Sequence, residues 1–188
     1  MNNVGVAAAS AKGAAARSAP AVAPRSEVGL AKPCELITLA PRAALVMRFR
    51  SPAAELPRGF FHRYEAMTRY LSARGQEPLS VPFAIYDNVD ANAADVEAGF
   101  VVASELASSG DMLVKQLPGA TVAALTHVGD YSGIEPSYFK LLEWVHELGM
   151  VRSGRFMECY MNNPLQTPSE ALRTRVMVPV GPRSANDP

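Results

Sequence analysis

Apolar residues recur every three or four positions in two stretches of this chain and alternate with polar ones over shorter stretches between them, the pattern of two amphipathic helices set among strands. The first helix is predicted over 56–74. There Phe60, Phe61, Tyr64, Met67 and Leu71 fall on one face, with Pro57 in the first turn and Gly75 just past the end. The second is predicted over 136–148, with Tyr138, Leu141, Leu142, Val145 and Leu148 at helical spacing and Gly149 as the stop. Strands are predicted over 34–50, broken in two at Ala40-Pro41-Arg42, and over 81–88 and 96–103, joined by a polar turn at 90–94. Strands over 113–127, interrupted by Pro118, and over 156–161 and 174–180 complete the set.

The second half repeats the first. Pro41-Arg42-Ala43 lies 77 positions before Pro118-Gly119-Ala120, Arg74-Gly75 lies 74 before Leu148-Gly149, and Ile85-Tyr86-Asp87-Asn88 lies 74 before Cys159-Tyr160-Met161-Asn162. Two copies at a period of about 75 indicate a duplicated domain rather than a solenoid. The expected fold is α+β: two βαββ units with pseudo-twofold symmetry, an antiparallel sheet carrying two main helices, and a central ligand groove where the halves meet.

In a duplicated chain, core positions should be apolar in both copies, whereas a functional residue need appear in only one. Glu158 breaks the repeat, because its counterpart 74 positions earlier is Ala84. It alternates with Phe156 and Tyr160 on one face of its strand, and Met157, Cys159 and Met161 take the other. A carboxylate in a strand covered on both sides raises its pKa, finds a cation or recruits hydrogen bonds. It can anchor a cationic ligand or act as a general base; alternatively it pairs with Arg155, Arg173 or Arg175 at a sheet edge. Glu97 either shares that cleft, on one face with Gly99 and Val101, or is a solvated charge near its strand start. Tyr86 and Tyr160 stand at equivalent positions, as opposite walls of one cleft or as core fillers with wet hydroxyls. Trp144, the only tryptophan, reads first as helix packing and second as pocket lining. His127 reads as a turn or packing residue.

Composition narrows the classes. At 188 residues and 48% apolar the chain suffices for one sizeable core, and its 18 basic and 18 acidic residues argue against the basic surface of a nucleic-acid binder. No window reaches the length of a membrane span. Ten Ala in the first 24 positions, interrupted by Lys12, Gly13, Arg17 and Pro20, are expected to belong to a flexible leader over 1–33, with a transit or export segment as the alternative. The domain follows over 34–181, with a tail over 182–188. Cys34 and Cys159 read as buried thiols of a cytoplasmic protein, and three scattered histidines leave no metal site or cofactor expected. No Ser-His-Asp order, nucleophile elbow, Walker motif or dinucleotide glycine pattern is present. Residues 34–180 carry 13 basic and 16 acidic side chains, a mild bias toward cationic ligands.

Four segments carry a family resemblance: His127-Val128-Gly129-Asp130-Tyr131; Trp144 with Gly149; Glu158-Cys159-Tyr160 with Asn163-Pro164; and Leu172-Arg173-Thr174 leading to Val178-Pro179-Val180. In this order they resemble the GyrI-like small-molecule-binding domain, the effector-binding module of AraC-type and MerR-type multidrug-responsive regulators. The resemblance covers residues 34–181. It implies a duplicated βαββ, SHS2-like fold and a groove for amphipathic or cationic organic molecules, in which the glutamate of the Glu-x-Tyr segment, here Glu158, meets the ligand's positive charge. On this reading Trp144, Tyr86, Tyr131 and Tyr160 line the groove and Glu158 is the anchor. The Ala-rich, proline-broken 1–33 segment offers no helix-turn-helix, so a small-molecule ligand or a protein partner is expected rather than DNA. Stand-alone members resemble drug-sequestering or gyrase-inhibiting proteins, or hydrolases of cyclopropane-containing natural products. Three roles are therefore open: a multidrug-binding module, a hydrolase with Glu158 as general base, and a gyrase-inhibitor-like interaction protein.

Overall fold

A computed structural model of the chain describes residues 34–90 and 92–183. The expectations for 1–33 and for 184–188 lie outside the described residues. The elements run β1 (Cys34–Leu39), β2 (Arg42–Ser51), α1 (Leu56–Ser72), β3 (Phe83–Val89), β4 (Ala94–Val101), β5 (Leu113–Leu117), β6 (Ala120–Val128), α2 (Glu135–Glu147), β7 (Met150–Arg152), β8 (Met157–Tyr160) and β9 (Arg173–Pro182). The α+β expectation holds, with two main helices on an antiparallel sheet. One strand is not legible in the sequence: β7 is only three residues long and exists by pairing with the end of β9.

Pro41 and Pro118 have no N–H for a ladder, and each marks a break between strands. The strands either side of Pro41 then pair with distant partners instead of each other: β1 with β6, and β2 with β4 and β5. The sheet order is β1-β6-β9-β8-β3-β4-β2-β5, with β7 beside β9. Exchanging β1, β2, β3 and β4 for β5, β6, β8 and β9 returns the same order from the other edge. At its centre β3 pairs with β8, and Ala84 stands opposite Glu158. Two residues 74 apart in the chain thus meet across the middle of the sheet.

Both helices lie on one face. α1 packs on β2 and β4, and α2 on β6, β7 and β9, so the central β3–β8 pair lies between them. α1 buries Leu56, Phe60, Tyr64, Met67, Tyr70 and Leu71. Phe61 is 37% exposed, because it is turned about 100° from Phe60 and points off the sheet. Leu148 lies past the end of α2 and is likewise exposed, while Leu141 and Val145 of α2 pack against Ala123, Leu125, Val176 and Val178. No described helix is long and apolar enough to cross a membrane.

Gly99 shows how tightly the middle of the sheet is assembled. A Cβ there would sit 2.7 Å from the Leu45 carbonyl oxygen and 2.8 Å from both Phe83 Cζ and Val46 Cγ1. Gly99→Ala is expected to cost about 1–3 kcal/mol through overpacking, read as a lowered midpoint in urea denaturation.

Candidate functional site

Strand register decides which side of the sheet each candidate faces. Glu158 is paired with Ala84 and Ala84 with Ala98, so the three share the face that carries the helices. Tyr86 and Tyr160, two residues along their strands, point the same way. Ala84 offers only a methyl group, which leaves the middle of this face to the carboxylate and the rings around it.

Glu158 is 6% exposed. One carboxylate oxygen, Oε1, accepts the Tyr138 hydroxyl at 2.5 Å; Oε2 accepts those of Tyr160 at 2.8 Å and Tyr86 at 3.2 Å. The Tyr86 and Tyr160 hydroxyls are 3.1 Å apart. No ion pair among the described residues includes Glu158: Arg155 is held by Asp87 at 2.6 Å, and Arg175 is held by Glu35. Burial raises the Glu158 pKa above its ordinary 4.5, and the hydrogen bonds from the three phenols, with the more distant His127, offset this only in part. Burial, followed by the nearby carboxylate, also raises Tyr86, Tyr131, Tyr138 and Tyr160, which keeps them protonated as donors.

The loop after β6 supplies the rest. Gly129 takes φ +131°, Asp130 accepts the Ser132 amide at 2.8 Å, and the short turn Tyr131–Gly133 leads into α2. Tyr131, 8% exposed, meets Tyr160 edge-on at 6.1 Å. The His127 ring contacts Ser137 Oγ and the Asp130 carbonyl, both at 3.1 Å, and so ties the end of β6 to the first turn of α2. Of the turn and packing roles expected for it, these contacts are those of a turn residue, next to the helix start from which Tyr138 reaches Glu158.

Two candidates lie elsewhere. Ile85 is paired with both Glu97 and Met157, so Glu97 faces the opposite side of the sheet from Glu158. It is neither in the cleft nor solvated: it is 2% exposed and accepts Arg48 Nε at 2.7 Å and Lys115 Nζ at 2.6 Å. Burial opposes its ionisation, but Lys115 and Arg48 outweigh that and hold the carboxyl below its ordinary value. Trp144 packs with the α2 core and does not line the Glu158 cavity; six residues beyond Tyr138, it is turned about 240° round the helix. Nor do Tyr131 and Tyr160 line the cavity: they stand behind its wall, Tyr160 bonded to the carboxylate and Tyr131 against Tyr160, so of the four rings expected there only Tyr86 lines it.

Tyr138 and Phe156 join the candidate site, although the sequence does not single them out for it. Tyr138 is legible as a phenol on an apolar helix face, and a buried phenol needs a polar partner; nothing local names Glu158 as that partner. Phe156 meets the Tyr138 ring edge-on at 4.7 Å. Together with Tyr86, Phe139, Ile134 and Glu158 they line a cavity of about 510 Å³, a usual size for a small-molecule site. Asp87, Glu135 and Arg155 also line it, while Phe139 and Val89, 65% and 72% exposed, give it apolar lips. A carboxylate shielded from water among aromatic faces is a receptor for an organic cation and also a proton acceptor. Among the described residues no three His, Cys, Asp or Glu side chains are grouped to hold a metal ion.

A family model for the GyrI-like small molecule binding domain matches residues 32–181. No curated protein matches the chain in sequence. Among solved structures, EcmrR in its complex with DNA superposes with a TM-score of 0.70 at 18% identity, over 80% of this chain. The chain spans 57% of that protein, and it matches 98% of the isolated EcmrR C-terminal domain at 19% identity and a TM-score of 0.63. A hydrolase from Listeria innocua gives 0.62 at 14% identity, over 79% of this chain and 91% of that one. SAV2435 bound to tetraphenylphosphonium gives 0.55 at 15% identity, over 79% and 93%. At such identities the likeness is one of fold.

Proposed function

The chain belongs to the GyrI-like small-molecule-binding family, and from that premise we propose that its Glu158 cavity captures lipophilic organic cations. The observation that carries this is a buried carboxylate held by three phenols with no cation among its described partners. Its hydrogen-bonding needs are largely met, but its charge is not neutralised. A cation entering between Tyr86, Tyr138 and Phe156 supplies that charge and gains attraction to the aromatic faces. Tetraphenylphosphonium on SAV2435, a protein of the same fold, supports the ligand class. Sensing or sequestration would follow from such capture.

Tetraphenylphosphonium titrated calorimetrically into the full chain is expected to bind about tenfold or more tightly than neutral triphenylphosphine oxide. Because only the ionised carboxylate attracts the ligand and the pKa of Glu158 lies above 4.5, affinity should rise with pH through that raised value. An affinity independent of both ligand charge and pH would overturn the reading.

A hydrolytic role is favoured by one feature of the same residue: a carboxyl whose pKa is raised by burial is a better proton acceptor from water than an exposed one. The Listeria innocua hydrolase of like fold supports it. Product formation from a bound electrophile distinguishes this role from capture alone.

A further inference from the structure

The face of the sheet away from the helices encloses a second cavity, of about 470 Å³. Each of the eight strands in the main order contributes to its wall, and the sheet curls until its edge strands β1 and β5 line the same hollow through Leu39 and Leu117. The connectors that close this seam touch: a Cβ on Gly119 would lie 2.9 Å from Pro41 Cδ. The hollow and the Glu158 cavity occupy opposite faces and share only Gly154 and Arg155.

The hollow differs from the first site in having no carboxylate in its wall. Phe83, Ile85, Val122, Met157 and Met177 give it an apolar wall. Burial pushes the Cys159 thiol up to about 12, so that group is neutral too. No Asp or Glu lines it, whereas Arg42, Lys115 and Arg155 do. Two of these cations are already engaged, Lys115 by Glu97 and Arg155 by Asp87. Arg42 is in none of the described ion pairs; it is exposed, and its Nε donates to the Ala40 carbonyl at 3.4 Å. Arg42 is paired with Leu117 across β2 and β5, which puts both on the side of the hollow.

We propose that this trough is a second binding site, one that takes a carboxylate-headed amphiphile with its head at Arg42 and its hydrocarbon body among Phe83, Ile85, Val122 and Met157. Charge complementarity selects this occupant: an apolar hollow lined by cations and by no carboxylate favours a single anionic head over a cation or a neutral chain. The site does not depend on what Glu158 binds.

The test uses the full chain and dodecanoate, with dodecyltrimethylammonium as the probe of opposite charge, both kept below micelle formation and followed by calorimetry. In Glu158→Gln protein, which removes the competing anchor for the cation, dodecanoate should saturate at one per chain and bind about tenfold or more tightly than dodecyltrimethylammonium. Arg42→Glu should weaken dodecanoate about tenfold or more while retaining tetraphenylphosphonium binding. Arg42→Gln reads the same contrast if the charge reversal impairs folding. Three results each overturn the proposal: no saturable dodecanoate binding, including the case in which another part of the chain or a second copy fills the trough; equal affinity for the two probes; or dodecanoate affinity untouched by the Arg42 variants.

Discussion

Glu158→Gln is expected to weaken tetraphenylphosphonium binding by about 30-fold or more, equivalent to ~2 kcal/mol for removing one member of a buried charge pair. The same substitution should leave the unliganded protein as stable as the wild type or more so at neutral pH. Glu158 is buried with hydrogen bonds but no described cation, and its pKa is raised above 4.5. An acid raised on folding binds more protons in the native state than in the unfolded one. Wild-type stability is therefore highest at or below pH 4.5 as far as this group is concerned, and falls as pH rises toward the raised value. The Gln variant lacks that fall. Urea denaturation at pH 5 and pH 8, beside the calorimetric titration, checks both halves. Lost affinity with unchanged or increased stability is what a ligand anchor predicts. Lost stability at pH 8 would make Glu158 a structural residue. Retained affinity with lost product formation would move it to the hydrolytic role.

Tyr64→Ala is expected to be the most destabilising of the changes considered, at about 3–5 kcal/mol. The ring is fully buried, stacks on Phe60 at 5.7 Å and meets Phe100 edge-on at 5.3 Å. Its hydroxyl donates to the Phe83 carbonyl at 2.7 Å. Truncation opens a cavity under α1 and removes the donor that holds the β3 backbone one residue before Ala84. For a domain of this size the melting temperature should fall by about 10 °C or more. Tyr64→Phe separates the two contributions, since it keeps the packing and loses only the buried hydrogen bond, about 1–3 kcal/mol. A melting temperature within a degree or two of wild type in the Ala variant would contradict the packing described.

Glu158 stands out in the sequence because finding it needs only a comparison of residues 74 apart, Ala84 against Glu158. Its surroundings are legible in part. Tyr160 shares its face by simple alternation along β8, whereas Tyr86 does so only through the pairing of Ala84 with Glu158; both reach its carboxylate. Tyr131 comes from the family resemblance and does lie against Tyr160. Tyr138 does not emerge, although its helical periodicity is plain, because a helix face reports that a side chain turns inward and not what it meets there. Glu97 is misplaced for a related reason. Alternation assigns it a side of its own strand, but only the pairing of Ile85 with both Glu97 and Met157 tells which side that is relative to Glu158.

From the sequence alone come the two helices, the strand breaks at Pro41 and Pro118, the α+β class and the carboxylate that stands out. All of these rest on short-range physics: periodicity, the missing proline N–H and the cost of burying charge. The tertiary structure alone decides that three phenols converge on Glu158, that Lys115 and Arg48 neutralise Glu97 on the far face, and that the sheet curls far enough to enclose an apolar trough lined by cations. Those features depend on the register between strands far apart in the chain and on the twist accumulated across eight of them, which no local window of residues encodes.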